Sequence, residues 1–390
     1  MTMAAYLEVE ENRPAARARA LRFDRIAITS VFGDPLSPLT WSGAPHRLAT
    51  ALRKRGVSVE GYQPRLSRFR KVLSAARAVE AGLGIPRTTE EILRGAAARD
   101  RHALQIAEFI ARSGIRHVLH TGTLDLPSFD LLRGVKHYLY CDHTWSLAQR
   151  WLPSAGRLTD KARAEYERLE RESLLGVDHI FTFGRYVHDE IVKHYGVSRD
   201  RVTAVGSGMG EIEPCFAPRS YEAPNLLFIA KHLFKTKGGE LLVDAFFRAH
   251  RARRDLTLTI VGDKRSKKYT PNDRNIRFLG RVSWIELQRL YRETSLLAQP
   301  MLNDPWGQVF IEALASRTPV LGLERHGLPE ITEDGRHGFM VPHADPAELA
   351  EVMLSALSDP DRLAGMGRSG QRHVLSSYSW DRVAERIAFQ

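Results

Sequence analysis

Cysteine is scarce in this chain. The two present, Cys141 and Cys215, stand in no Cys-x-x-Cys pair and near no histidine at zinc-finger spacing, which excludes a disulfide scaffold and a zinc-finger framework and fits a reducing compartment. Long apolar runs are missing too. No stretch reaches about 18 uninterrupted apolar residues, so no transmembrane helix is expected. The N-terminal segment 1–22 mixes Glu8, Glu10 and Glu11 with Arg13, Arg17, Arg19 and Arg22 and lacks the apolar core of a signal peptide; a cytoplasmic chain is expected. No repeat at a solenoid period is visible.

What is present is an ordinary globular composition, 43% hydrophobic and 26% charged over 390 residues, enough for two domains at about 150 residues each. The net charge of +11 attracts polyanions, whether nucleic acid, acidic lipid or phosphorylated small molecules, without choosing among them.

Short β-rich apolar runs alternate with amphipathic ones. Strands are predicted at Arg25–Ser30, Val57–Tyr62, Arg116–His120, Tyr138–Cys141 and His179–Phe183, the rhythm of βαβ units. Between Gly206 and Pro224 glycine and proline crowd together and the rhythm stops. It restarts with Leu226–Ala230, Leu256–Gly262, Ile276–Leu279, Leu296–Pro300, Val320–Leu323 and Phe339–Val341. The expected fold is α/β: two Rossmann-like doubly wound domains facing a central cleft, 23–215 and 216–376, after a tail 1–22, with ligands at the carboxyl ends of the strands. Gly206-Ser207-Gly208-Met209-Gly210 leads into Pro214 rather than a helix, so it fails the dinucleotide fingerprint and reads as interdomain linker.

The most informative stretch runs from Pro300 to Val320, a strand end, a loop and a helix. Asp304 and Glu312 are eight positions apart, so one acid can precede the helix and the other lie two turns in, both lining an elongated ligand. Gly307 permits close backbone approach, and the N–H groups of Gln308, Val309 and Phe310 would face an anion such as a diphosphate. Judged by itself, the segment is more commonly a helix capped by Asp304 with Glu312 as a surface carboxylate. Upstream, Lys231 and Lys237 sit in a strand-to-helix turn and can reach a phosphate; the alternative is a solvated basic loop. Downstream, His326-Gly327-Leu328-Pro329-Glu330 forms another turn after a strand.

Taken together, these residues resemble the retaining GT-B glycosyltransferases of the large family marked by a Glu, seven residues, Glu signature (glycosyltransferase family 4, glycosyl transferases group 1). The likeness extends over Trp41-Ser42-Gly43, the lysine loop, Ile260-Val261-Gly262, Phe278-Leu279-Gly280, Asp304 to Glu312, the His326–Glu330 turn and Tyr378-Ser379-Trp380. It implies that Glu312 binds the ribose hydroxyls, that Lys231 and Lys237 hold the diphosphate, that Asp304, Trp306 and the backbone of Gly307, Gln308 and Val309 grip the transferred sugar, and that Gly43 lets its loop close on the phosphate. It also implies a C-terminal helix, 377–390, crossing back to the first domain. After the strand Tyr138–Cys141, the resemblance places an active-site histidine at His143, with Asp142 as polar group or orienter; a structural Asp–His pair is the alternative. Metal-independent transfer follows, the lysines and helix dipole neutralising the leaving group. The single Asp-x-Asp, Asp359-Pro360-Asp361, starts a predicted helix and reads as a cap, so no metal or other cofactor is assigned.

The chain departs from the family pattern at Asp304, where Glu is usual, and at Ala230, where Gly is common. Expected partners are a nucleotide-diphosphate sugar and a sugar or lipid-linked acceptor. The segment from Arg65 to Leu83 sets Leu66, Phe69, Val72, Leu73, Ala76 and Val79 at helical spacing among Arg65, Arg68, Arg70, Lys71 and Arg77; it reads either as peripheral contact with an anionic membrane or as a helix packed on its own sheet. A sugar-nucleotide epimerase or phosphorylase could use the same fold. A nucleic-acid-binding protein is the rival outside enzymes, disfavoured by scattered basic residues without aromatic interleaving.

Overall fold

The computed structural model describes residues 22–389 except 87, 130, 131, 133, 152–156 and 232, so the predicted tail, Arg22 apart, lies outside the described residues. Two compact units form: an N-terminal one up to Ser207 that also holds the chain from Trp380 onward, and a C-terminal one of Gly208–Ser379.

The N-terminal unit is a parallel six-stranded sheet: β1 (Arg25–Thr29), β2 (Ser58–Tyr62), β3 (His117–Thr121), β4 (Lys136–Cys141), β5 (His179–Thr182) and β6 (Val202–Ala204) in the order β2-β1-β3-β4-β5-β6. Val202–Ala204 was not among the predicted strands. Three residues at a sheet edge carry too little periodicity to register as a strand. The helix Trp380–Ala388 belongs to this unit. It buries Val383, Ala384, Ile387 and Ala388, packs along the helix Ala44–Lys54, and is tied by Arg55 Nη1 to Asp381 Oδ1 at 2.7 Å. Burial of those apolar side chains fixes the return of the chain; the exposed ion pair adds little.

The C-terminal unit repeats the architecture with β7 (Asn225–Lys231), β8 (Thr257–Gly262), β9 (Ile276–Gly280), β10 (Leu296–Ala298), β11 (Val320–Leu323) and β12 (Gly338–Val341), ordered β12-β11-β10-β7-β8-β9, all parallel. Leu226–Ala230 is buried without interruption, as a strand covered by helices on both faces must be. The helix Gly239–Ala252 lays Leu242, Val243, Ala245, Phe246 and Ala249 on that sheet, positions spaced for one helical face.

The passage between units falls at Ser207/Gly208, ahead of the predicted 215/216. The reason is hydrogen bonding: Cys215 N–H donates to Ala315 O at 3.2 Å, and Gln371 Nε2 donates to Cys215 O at 2.7 Å, so Gly208–Cys215 is built into the C-terminal unit. No helix follows Gly206–Gly210. Asp359 caps the helix Pro360–Ser377, accepting from Arg362 N–H at 2.8 Å.

Candidate functional site

In the C-terminal sheet the chain leaves β7 for β8 on one side and returns as β10 on the other. The loops after β7 and β10 therefore diverge at the carboxyl edge, the switch point where doubly wound sheets bind ligands. Side chains lock the two loops together. Gln299, fully buried just after β10, accepts from Ile229 N–H at 3.0 Å and donates to Ile229 O at 3.1 Å. Thr236 O accepts the N–H groups of Leu302 and Asn303 at 3.1 and 3.0 Å. Gly238, at φ +82°, lies so near the β10 loop that a Cβ would stand 1.9 Å from Pro300 O, which admits only glycine.

The charged residues gather on this frame. Lys237 Nζ lies 2.7 Å from Asp304 Oδ2, and Lys237 is only 4% exposed. Burial pushes the Asp304 carboxyl up, but Lys237, with Lys231 and His326, outweighs it and holds the pKa below the ordinary value. Lys231 ends β7 at φ +49° with its side chain exposed. Its pKa is lowered by desolvation and then by Lys237, against the opposing pull of Glu312 and Asp304. The two lysines, expected to act alike, thus differ: Lys237 is the internal partner of Asp304, and Lys231 reaches outward.

Glu312 is buried in the helix Gln308–Ala315. Tyr291 Oη–H donates to its Oε2 at 3.0 Å, and the backbone of Gly210 passes so close that a Cβ there would sit 2.1 Å from Oε1. The helix starts at Gly307, φ +80°, with no side-chain cap, so Asp304 is not its N-cap. Gln308 Nε2 donates to Gly208 O at 3.0 Å. Phe310 N–H is taken by Gly307 O at 2.9 Å, which reduces the expected trio of anion-facing donors to Gln308 and Val309.

Trp306 is 3% exposed. Its ring meets Tyr378 edge-on at 5.8 Å, and Gly327 lies flush against it, so the indole supports the His326–Glu330 turn from within. His326, at φ +57°, is pushed down to about 4 by burial. Sequence reasoning missed Tyr291 and Gln299, and read Gly210 only as part of the interdomain linker. A glutamine directly after an apolar strand was the one available signal.

The N-terminal sheet has its own switch point, between β1 and β3. Trp41, Ser42 and Gly43 adopt φ of +50°, +56° and +83° in succession before the helix Ala44–Lys54. Gly43 is buried there, with Pro38 O 3.1 Å from where a Cβ would be. Asp125, unnoticed in the sequence, joins the loops after β1 and β3. Its carboxyl accepts from Val31 N–H at 2.7 Å, Thr121 N–H at 3.0 Å and Thr121 Oγ1–H at 2.9 Å, and burial still raises it to about 8. Asp142 and His143 follow β4, both half-buried; Asp142 O accepts from Tyr186 Oη–H at 2.9 Å. Next to them the buried Glu170 accepts Trp145 N–H at 2.6 Å, fixing the start of the helix Trp145–Trp151.

Two doubly wound parallel sheets, the second with its charged residues at the switch point, have the architecture of the GT-B glycosyltransferases. Residues 223–359 match the family described as Glycosyl transferases group 1. The chain is 27% identical over 303 residues to D-inositol 3-phosphate glycosyltransferase of Streptomyces bingchenggensis, covering 67% of this chain and 66% of that relative, just under two thirds of its length. In structure it is similar to sucrose-phosphate synthase from Thermosynechococcus elongatus (TM-score 0.71, 18% identity, 93% and 97% of the two chains). It is also similar to Anabaena HepE in complex with UDP-glucose (TM-score 0.62, 13% identity, 94% and 98%). The family match falls within the C-terminal unit, Gly208–Ser379.

Proposed function

We propose that this chain transfers a sugar from a nucleotide-diphosphate sugar to an acceptor hydroxyl with retention of configuration. The observation that carries the reading is the gathering of Lys231, Lys237, Asp304 and Glu312 at one switch point. In this reading Lys231 and the N–H groups of Gln308 and Val309 face the diphosphate, Glu312 accepts from the ribose hydroxyls, and Asp304, held by Lys237, accepts from hydroxyls of the sugar.

The acceptor oxygen forms a bond to the anomeric carbon on the face that the diphosphate leaves. The bond from that carbon to phosphate oxygen breaks, and the hydroxyl proton passes to the departing phosphate. Positive charge fixed in advance stabilises the negative charge that develops on the leaving group, and no covalent enzyme intermediate or metal ion is needed. His143, with Asp142, is the acceptor-side polar group in this reading, and Gly43 supplies close backbone approach.

Calorimetry with uridine and guanosine diphosphates tests the site: Glu312→Ala is expected to weaken binding strongly, and unchanged binding would refute the assignment. NMR of the product anomer tests the stereochemistry, an inverted product being fatal to the retaining mechanism.

A lipid-linked acceptor is favoured by one observation. The helix Arg68–Glu80 holds Val72 at 68% and Val79 at 47% exposure with Arg68, Arg70, Lys71 and Arg77 on the same element, the composition of a surface that lies on anionic lipid. Among the described residues no helix is long and apolar enough to cross a membrane.

A further inference from the structure

Away from the loops after β7 and β10, the turn joining the short helix Leu328–Ile331 to β12 packs on the long helix Pro360–Ser377. Three metal-ligand side chains meet there. Glu333 and His337 come from the turn and His373 from the helix. Glu333 Oε2 lies 3.0 Å from His337 Nε2, and Oε1 lies 3.2 Å from His373 Nδ1. One ligand atom from each residue falls within 4.8 Å of the other two. The imidazoles stack with centroids 5.0 Å apart. His337 is buried, while Glu333 opens to solvent.

Ser369 Oγ lies 3.1 Å from Met366 O and 3.0 Å from His337 Nδ1. When its proton is directed at Met366 O, the hydroxyl accepts from His337 Nδ1–H, and the Nε2 lone pair then faces the Glu333 carboxylate, itself an acceptor only. In that arrangement two acceptors stand 3.0 Å apart, and a cation between them satisfies both. His373 directs Nδ1 at the other oxygen of the same carboxylate, and its buried Nε2 has no hydrogen-bond partner. Protonating both rings would set two imidazolium charges in a stack.

We propose that Glu333, His337 and His373 bind one divalent ion of the zinc class, which staples the turn to the helix. A tetrahedral zinc with bonds of about 2.0–2.2 Å keeps its ligand atoms roughly 3.3 Å apart; each histidine nitrogen already lies near that distance from one oxygen of Glu333, and side-chain rotation brings one oxygen and both nitrogens onto the ion. Ser369 is placed to be the outer hydrogen-bond partner that metal-bound histidines normally have, accepting from Nδ1–H when the ion takes Nε2. The fourth position lies on the Glu333 side, open to water. The ion's neighbourhood connects to the loop frame: Tyr378 meets His373 edge-on at 5.7 Å, donates its hydroxyl to Glu330 O at 3.2 Å, and backs the Trp306 ring. The site departs from the expectation of no metal, but it lies apart from the lysine loop and stands whether or not the proposed transfer reaction does.

The test uses the untagged full chain, stripped with a chelator and titrated with zinc chloride against a colorimetric zinc indicator. One ion per chain is expected at micromolar zinc, and His373→Gln and Glu333→Gln should each weaken binding by at least ~10-fold. Cobalt in place of zinc should give the visible absorption of a tetrahedral site, absent in His373→Gln, and zinc should raise the unfolding midpoint of the parent chain only. Ser369→Ala, which leaves all three ligands and the fold in place, should bind zinc more weakly than the parent. Equal zinc affinity in the parent, His373→Gln and Ser369→Ala, or no stoichiometric binding by the parent, overturns the proposal and leaves an imidazolium–carboxylate group.

Discussion

Lys237 Nζ and Asp304 Oδ2 stand 2.7 Å apart across the switch point of the C-terminal sheet, so the acid of the β10 loop is held by the lysine of the β7 loop. Removing one partner strands the other charge in a buried site. Lys237→Met and Asp304→Asn are each expected to cost about 3 kcal/mol of stability, and the double variant less than the sum, measured by urea unfolding. An additive double variant would show that the pair is not coupled.

Glu312 is held between Tyr291 and Gly210. Tyr291→Phe removes the hydroxyl that orients the carboxylate, and Gly210→Ala places a methyl where Oε1 now lies. Each should weaken nucleoside diphosphate binding about tenfold, or about 1.4 kcal/mol, with the folded fraction unchanged by circular dichroism. A variant that binds like the parent would remove that residue from the positioning of Glu312.

The buried His102, with neither ring nitrogen hydrogen-bonded among the described residues, is pushed down to about 4 by burial and then by Arg99. Unfolded, it titrates near 6.5. The unfolded chain therefore binds the extra proton between these values, and stability is full above about 6.5 and falls as pH drops toward 4, by up to about 3 kcal/mol. His102→Leu should be neutral or stabilising at pH 7 and should flatten that loss in denaturant titrations at pH 7 and 4.5. An unaltered slope would locate the acid sensitivity elsewhere, His137, His179 and His326 being further groups held near 4 by burial.

The helix Arg68–Glu80 makes a separable prediction. A basic residue near an anionic surface contributes about 1 kcal/mol. Replacing Arg65, Arg68, Arg70 and Lys71 with serine should therefore lower sedimentation with anionic vesicles by at least ~10-fold and leave nucleotide binding intact. No difference between the chains would leave a plain solvated helix.

Much of the fold was legible because the strands of a sheet covered on both faces are continuous apolar runs, as at Leu226–Ala230, and because Gly206–Pro224 breaks every periodicity. β6 escaped as a three-residue edge strand. The boundary was placed late because the hydrogen bonds that tie Cys215 to Ala315 and Gln371 span 100 and 156 positions of sequence and cannot be read from composition.

In the candidate site, the motif pointed to Asp304, Glu312 and the lysines, residue types that any anion and polyol site requires. It could not distinguish Lys231 from Lys237, nor see that Trp306 faces inward against Tyr378, since both depend on which side of a turn a side chain leaves.

Residue order alone therefore determined the two βαβ series, the glycine at Gly307 and the acids about it, because period, turn chemistry and charge are local properties. Tertiary structure decided the rest: the pairing of Lys237 with Asp304, the burial of Glu312 under Gly210, and the meeting of Glu333 with His337 and His373. Strand order brings distant loops to one edge, and only there do Coulomb attraction, desolvation and steric exclusion assign each group its partner.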